Sequence, residues 1–258
     1  MFLFHSGALL KVRQRSRREP LRIKVVPSTR CRASTPLSMN LLLAACCSLA
    51  LLLPAWLPSP AAACTTAIVT KGASADGSVM VSHSDDNDLG DESIVFVPAR
   101  DWPKDAKRPV YDSAVAVQPN PATNTFLVPR LVDADRAPGY AHKGAPRSIP
   151  IGFIPQVRHT FAYIDGNYGI MNEHGLMFGE CTDGAHNTCT AEPGKRIFYS
   201  SELARVALER CKTAREAIAL MGELIETYGY YGTGETLPVA DKNEAWVMPV
   251  SSFTVPAP

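Results

Sequence analysis

The chain has 258 residues, with 26 Lys/Arg against 25 Asp/Glu, 46% hydrophobic residues and seven cysteines. The formal charge of +1 hides an asymmetry: residues 1–63 hold nine Lys/Arg against Glu19 alone, and the rest carries a net charge of −7. That acidic part has no basic stripe of the kind that binds nucleic acid, and it is long enough for one sizeable domain.

Residues 1–38 are polar and basic. Met39 then leads into the apolar run Leu41–Leu53, followed by Pro54, Pro58 and the small-residue site Ala61-Ala62-Ala63. A charged lead, a short apolar core and an A-x-A site form the layout of a secretory signal peptide. The run is short for a bilayer span, which needs about 20 residues. Cleavage after Ala63 is therefore expected, giving a basic leader over 1–63 and a domain over 64–258. The product would be secreted or lie in the lumen of the secretory or endolysosomal pathway, with no stable membrane span. An uncleaved anchor, a mitochondrial transit peptide and a true start at Met39 are the alternatives. Cys64, Cys181, Cys189 and Cys211 follow the cut. If Cys64 stays free, Cys181 with Cys189 is the disulfide pair to test.

After the cut, Cys64–Thr70 and Val79–His83 read as two strands across the turn Ala75-Asp76-Gly77-Ser78. Such a hairpin returns His83–Asp86 towards Cys64. Asp85–Glu92 is an acidic loop. Residues 93–158 are proline-rich and lack helical period, with short β-like runs at Ser93–Val97 and Phe126–Val128. His159–Ile164 and Tyr168–Met171 read as strands across Asp165-Gly166-Asn167, and Leu176–Gly179 as another. The period then changes. A helix capped by Ser200 or Ser201 reaches about Cys211. The capping box Thr213-Ala214-Arg215-Glu216 opens a second, with an apolar stripe through Ala217, Ile218, Met221, Leu224 and Ile225. A final hairpin joins Leu237–Ala240 to Ala245–Val250. Strands, two helices, then strands point to an α+β fold.

The chemistry begins at Cys64. Thiolate is the working nucleophile, and an ordinary cysteine with pKa near ~8.5 is only a few per cent ionised at neutral pH. As the first residue of a cut chain, Cys64 has an α-amine of pKa about 7.7 to 8.0 to accept its proton. The competing readings are a buried thiol, half of a disulfide, or a lipidated cysteine. Cys181, His186 and Cys189, with His174 nearby, are metal-ligand types, but their spacing fits no zinc pattern, so no metal is expected. No phosphate loop, dinucleotide fingerprint or serine elbow is present.

Cys64-Thr65-Thr66, the segment Ala73–Ser78 and Asp85-Asp86 together resemble the opening of the dipeptidase A family, N-terminal-nucleophile cysteine peptidases related to the secernins. Met171–Leu176, Thr213–Ala217, Gly222-Glu223-Leu224 and Ala240–Val247 resemble later family segments. The resemblance implies an αββα sandwich and hydrolysis of dipeptides or small amides by Cys64 without a cofactor. It implies that Asp86 orients the α-amine of Cys64. Where many members carry Arg-Asn-x-Asp, this chain has His83-Ser84-Asp85-Asp86, so His83 stands in the place of the family's cation. Asp85 or Asp88 suits the substrate's amine. By analogy Glu180 and Thr182 contact substrate or oxyanion. Asn172 either lines the site or fixes its own turn. The resemblance covers the N-terminal part of the usual family length, so the sandwich is expected to be incomplete at its C-terminus. A linear-amide acylase of the same architecture and a non-catalytic form or binding module are the alternatives.

Overall fold

The computed structural model describes residues 2–5, 8–11, 64–86, 93–112, 131–141, 146–184 and 188–252. Contacts group residues 1–12 with 63–258 in one unit, to which all of these belong. The apolar run Leu41–Leu53, the expected strand at 126–128, Asp88 and His186 lie outside the described residues.

Two short strands come first, β1 (Phe2–His5) and β2 (Ala8–Lys11). β3 (Thr66–Val69) and β4 (Met80–His83) form the hairpin read from the sequence. In its turn Gly77 sits at φ +79°, and the Ser78 N–H donates to Asp76 Oδ1 at 3.0 Å. The order β2-β1-β3-β4 makes a small antiparallel sheet.

The next stretch is richer in strands than its sequence showed. β5 (Val95–Val97) is followed by β6 (Arg100–Asp101) and β7 (Lys107–Tyr111). β7 pairs with β8 (Pro150–Pro155), and β6 with β9 (His159–Thr160). Pro109 in β7 and the two prolines bounding β8 disguise a two-stranded ribbon, whose lack of further partners tolerates missing N–H donors. The expected strand His159–Ile164 is two strands. It breaks where the Phe161 N–H donates to Glu209 O, and the chain passes from β9 to β10 (Tyr163–Asp165) in a different sheet.

β10, β11 (Gly169–Asn172), β12 (Met177–Phe178) and β13 (Cys181–Thr182) precede two helices, α1 (Ser200–Arg210) and α2 (Ala214–Tyr228). β14 (Glu235–Ala240) and β15 (Ala245–Val250) follow. β14 is the spine of a seven-stranded sheet. β13 pairs with its first residues and β12 with its last, β15 runs along it, and β11, β10 and β5 extend the sheet beyond β12.

The layers follow from the period of two. Phe178 and Val239 join the main core with Leu203, Ala207 and Met221 of the helices. Their neighbours Met177 and Ala240 point the other way and pack with Val81 of β4 and Val79 just before it. The described residues thus stack as helices, large sheet, small sheet. This is an α+β arrangement compatible with three layers of the expected sandwich; a second helical layer is not among them.

The caps differ from expectation at one helix. Tyr199, not a serine, is the N-cap of α1 and gives no side-chain capping bond, and Ser200 and Ser201 are buried in the first turn. At α2 the capping box forms as read, with Thr213 and Glu216 bonded reciprocally. The helix ends at Gly229, φ +71°, where a Cβ would stand 2.2 Å from Lys195 O.

Candidate active site

The β3–β4 hairpin sets the first wall. Its register pairs Thr66 with His83, and one step further Thr65 and Ser84 bond twice: the Ser84 N–H donates to Thr65 O at 2.9 Å, and the Thr65 N–H to Ser84 Oγ at 3.0 Å. That clasp carries the chain past the strand ends, so Cys64 and Asp85–Asp86 run side by side. The second wall is β13. The Cys181 thiol donates to Cys64 O at 3.0 Å. Gly179 lets the walls approach, since a Cβ there would lie 3.0 Å from Val81 Cγ1 and 3.6 Å from His83 Cβ.

Cys64 is buried, at 8% exposure. Burial pushes its thiol up, and the nearby carboxyls of Glu180 and Asp85 add to that. Backbone N–H groups of Asp86 and Thr182, which face the sulfur, work in the opposite direction. Cys64 Sγ and one carboxylate oxygen each of Asp85 and Glu180 lie within 4.8 Å of one another. A thiol and two acids thus converge at one point between the hairpin and β13.

Behind Cys64 the acidity deepens. Glu180 and Glu235 are each fully buried, with their carboxyls in contact. Strand pairing explains the meeting, because β13 sets Thr182 opposite Glu235. Thr182 Oγ1 donates to Glu180 Oε1 at 2.9 Å, and the Tyr199 hydroxyl makes a short bond to Glu235 Oε1. Desolvation, then the Glu235 contact, push the Glu180 carboxyl up to about 9, and desolvation raises Glu235 as well. Desolvation and the neighbouring carboxyls Glu180 and Glu235 raise the phenol of half-buried Tyr168.

The residues singled out in the sequence fall into three groups. Cys64, Asp85, Glu180 and Thr182 come together; Asp86 reaches the sulfur through its backbone N–H. His83 lies at the edge of this group, its ring edge-on to Tyr168 at 6.1 Å. Asn172 is elsewhere. Its Nδ2 donates to Leu208 O and Cys211 O at 2.9 and 2.8 Å, and its Oδ1 accepts from the His174 and Leu176 N–H groups. An amide so fully bonded fixes its turn to the end of α1 and has no capacity left for a substrate. Cys181 and Cys189 are both free thiols rather than a disulfide. Desolvation raises the Cys181 thiol to about 11. Neither Cys189 nor His174 belongs to the convergence at Cys64.

Sequence reasoning missed Glu235 and Tyr199. One signal was available for the first: Glu235 opens the apolar strand Leu237–Ala240, as Glu180 ends the apolar run Leu176–Phe178, and a carboxyl in such a run must be compensated. A separate cleft of ≈ 420 Å³ is lined by Arg100, Arg108, Arg136 and Arg147 among others. Arg108 and Arg136 pair with Glu202, and Arg147 with Asp133 and Asp135, so the cleft is largely self-neutralised. Among the described residues, no helix is long and apolar enough to cross a membrane.

Residues 157–253 match the model of peptidase family C69. The chain is 23% identical over 193 residues to a probable dipeptidase B of Lactococcus lactis subsp. lactis (strain IL1403), covering 71% of this chain and 33% of that protein. It therefore spans about a third of that curated relative's length. The family match begins beyond the hairpin and contains Glu180, Thr182 and Glu235. The chain is thus similar to peptidase family C69 over residues 157–253 and to a probable dipeptidase over 193 residues.

Proposed function

We propose that the chain is a cysteine peptidase acting on unblocked dipeptides, with a nucleophile created when a leader ending at Ala63 is removed. The observation that carries this reading is the setting of Cys64: its sulfur faces two backbone N–H groups and lies within 4.8 Å of the carboxylate oxygens of Asp85 and Glu180. In the uncut chain the residue-64 nitrogen is an amide, whose delocalised lone pair cannot accept the thiol proton. After the cut it is an amine with pKa about 7.7 to 8.0, matched to a thiol at neutral pH.

The amine takes the thiol proton, and the resulting ammonium and the N–H groups of Asp86 and Thr182 favour the thiolate. The thiolate attacks the peptide carbonyl. The ammonium returns its proton to the leaving nitrogen, and the C–N bond breaks to leave a thioester. Water, deprotonated by the same amine, then hydrolyses the thioester and restores the thiol. Asp86 orients the amine in this scheme. Asp85 receives the substrate's own ammonium, which in a dipeptide is one carbon from the attacked carbonyl and so fits a carboxylate close to the sulfur. Thr182 lines the site, and His83 is the cationic candidate when protonated. No cofactor enters any step. Leader removal places the enzyme in the lumen of the secretory or endolysosomal pathway or outside the cell.

A chain beginning at Cys64, incubated with unblocked dipeptides and their N-acetyl forms, tests the reading. Hydrolysis of the unblocked set alone, abolished in Cys64→Ala, is the expected result. A preference for the N-acetyl set would favour an acylase, and equal turnover by Cys64→Ala would overturn the role of the thiol.

A further inference from the structure

Every buried polar atom needs a partner. At the Glu180–Glu235 contact one oxygen of each carboxyl lacks one. Glu180 Oε1 accepts from Thr182, and Glu235 Oε1 from Tyr199, but Glu180 Oε2 and Glu235 Oε2 are both buried with no donor. Two acceptors cannot satisfy each other without a proton between them. A single proton on Glu180 Oε2, donated to Glu235 Oε2, satisfies both at once and leaves every other bond of the network intact.

The groups facing the pair offer no alternative. From the ends of β3 and β4 come Cys64 and Asp85; from β13 and the residue after it, Cys181 and Asp183. Tyr168, Tyr199 and Tyr230 face it from the β10–β11 turn, the start of α1 and the segment after α2. All of these side chains are acids; in the chain of residues 1–258, where the residue-64 nitrogen is an amide, none supplies a positive charge to neutralise a second carboxylate.

We propose that Glu180 and Glu235 share one proton, and that Glu180 serves as the uncharged neighbour of Cys64, a positioning residue that keeps a second carboxylate away from the nucleophilic sulfur. This rests on the reading of Cys64 as nucleophile. The pair's negative charge resides on Glu235, where Tyr199 donates, one carboxyl further from the thiol. Asp85 is then the carboxyl left beside the sulfur to meet an ammonium. A thiolate beside Asp85 and an ionised Glu180 would be the third negative group within 4.8 Å; with Glu180 neutral it is the second. Raising the pH until Glu180 ionises therefore opposes thiolate formation just where a simple thiol would become more reactive.

Infrared spectroscopy of the chain of residues 1–258, wild type against Glu180→Gln, tests the proton. At pH 7 the wild type is expected to show a protonated-carboxyl C=O band that Glu180→Gln lacks. The band should fade in the wild type as pH rises past about 9. Absence of such a band, or its persistence in Glu180→Gln, would overturn the assignment; the wild-type titration stands even if the variant fails to fold. Reactivity tests the consequence. The amide introduced by Glu180→Gln can donate to Glu235 and accept from Thr182 as the protonated acid does. Alkylation of Cys64 by iodoacetamide, followed on the Cys64 peptide by mass spectrometry, should stay within about threefold of wild type at pH 7 and exceed it above pH 9. A loss of about tenfold or more at pH 7 with the fold intact would mean that Glu180 acts as a carboxylate, contradicting the proposal. Neither readout requires peptide hydrolysis, so failure of the dipeptidase reading and failure of this one are separately visible.

Discussion

Two clusters of buried charge lie in this chain, one against α1 and one behind Cys64. Against α1, Arg108, Arg136 and Arg205 face Glu202, Glu209 and Asp165. Arg108 binds Glu209 at 2.7 Å and Glu202 at 2.8 Å, Arg136 binds Glu202 at 3.0 Å, and Arg205 binds Asp165 at 2.7 Å. Burial by itself would raise the Glu202 carboxyl, but the three guanidinium groups hold it well below the usual carboxylate range. Behind Cys64, Glu180 and Glu235 are buried as deeply, the charged side chains facing them among the described residues are acidic, and Glu180 rises to about 9. Equal burial gives opposite protonation, and what differs is the partner. A compensated cluster holds elements together. An uncompensated one beside a nucleophile is the arrangement in which pKa values are tuned for chemistry.

This contrast is open to test. The largest effect is expected at the nucleophile: Cys64→Ala should abolish dipeptide hydrolysis in the chain beginning at Cys64 while its melting temperature stays near that of the parent. Next comes the α1 cluster. Glu202→Ala leaves three buried guanidinium groups short of a partner, and a loss of about 3–5 kcal/mol is expected in urea unfolding. If Glu202→Ala is neutral, the cluster is not the structural one.

Asn172→Ala should lower stability by roughly 1–3 kcal/mol, since it strips buried partners from the end of α1 and from its own turn. It should leave Cys64 alkylation unchanged. A selective loss of substrate affinity at full stability would return Asn172 to the site.

The two clusters also have opposite pH signatures. A carboxyl whose folded pKa is depressed, as at Glu202, contributes stability that is present above its unfolded value and lost as pH falls through the folded one. A carboxyl whose folded pKa is raised, as at Glu180, contributes stability below its unfolded value near 4.5, and this is lost as pH rises towards about 9. Urea midpoints measured from pH 5 to 9 should therefore decline in the wild type and decline less in Glu180→Gln, the smallest of these effects. Parallel curves would place Glu180 among ordinary ionised carboxylates.

Local features were legible in the sequence because their partners are near in the chain. The Asp76-Gly77 turn, the Thr213–Glu216 capping box and the stripe through Ala217, Met221 and Leu224 are each written within about one or two helical turns. Cys64 with Asp85 was legible because a hairpin is a short-range object. Arg108 with Glu202 and Glu180 with Glu235 were not, because only the sheet pairing and the packing of α1 bring them together. The boundary inside His159–Ile164 was hidden for a related reason: the residues suit a strand throughout, and it is the change of sheet that divides them. Asn172 had two readings in the sequence, and the bonds to Leu208 O, Cys211 O and its own turn favour the one in which it fixes that turn.

The central claim is that the free amine of Cys64 makes its thiol a nucleophile. Its most direct test is the pH dependence of Cys64 alkylation in two chains, one beginning at Met1 and one beginning at Cys64. Faster alkylation near neutral pH in the chain beginning at Cys64, with the titration moved to lower pH, is the predicted result. Superimposable profiles would show that the α-amine does nothing for the sulfur and would contradict the mechanism.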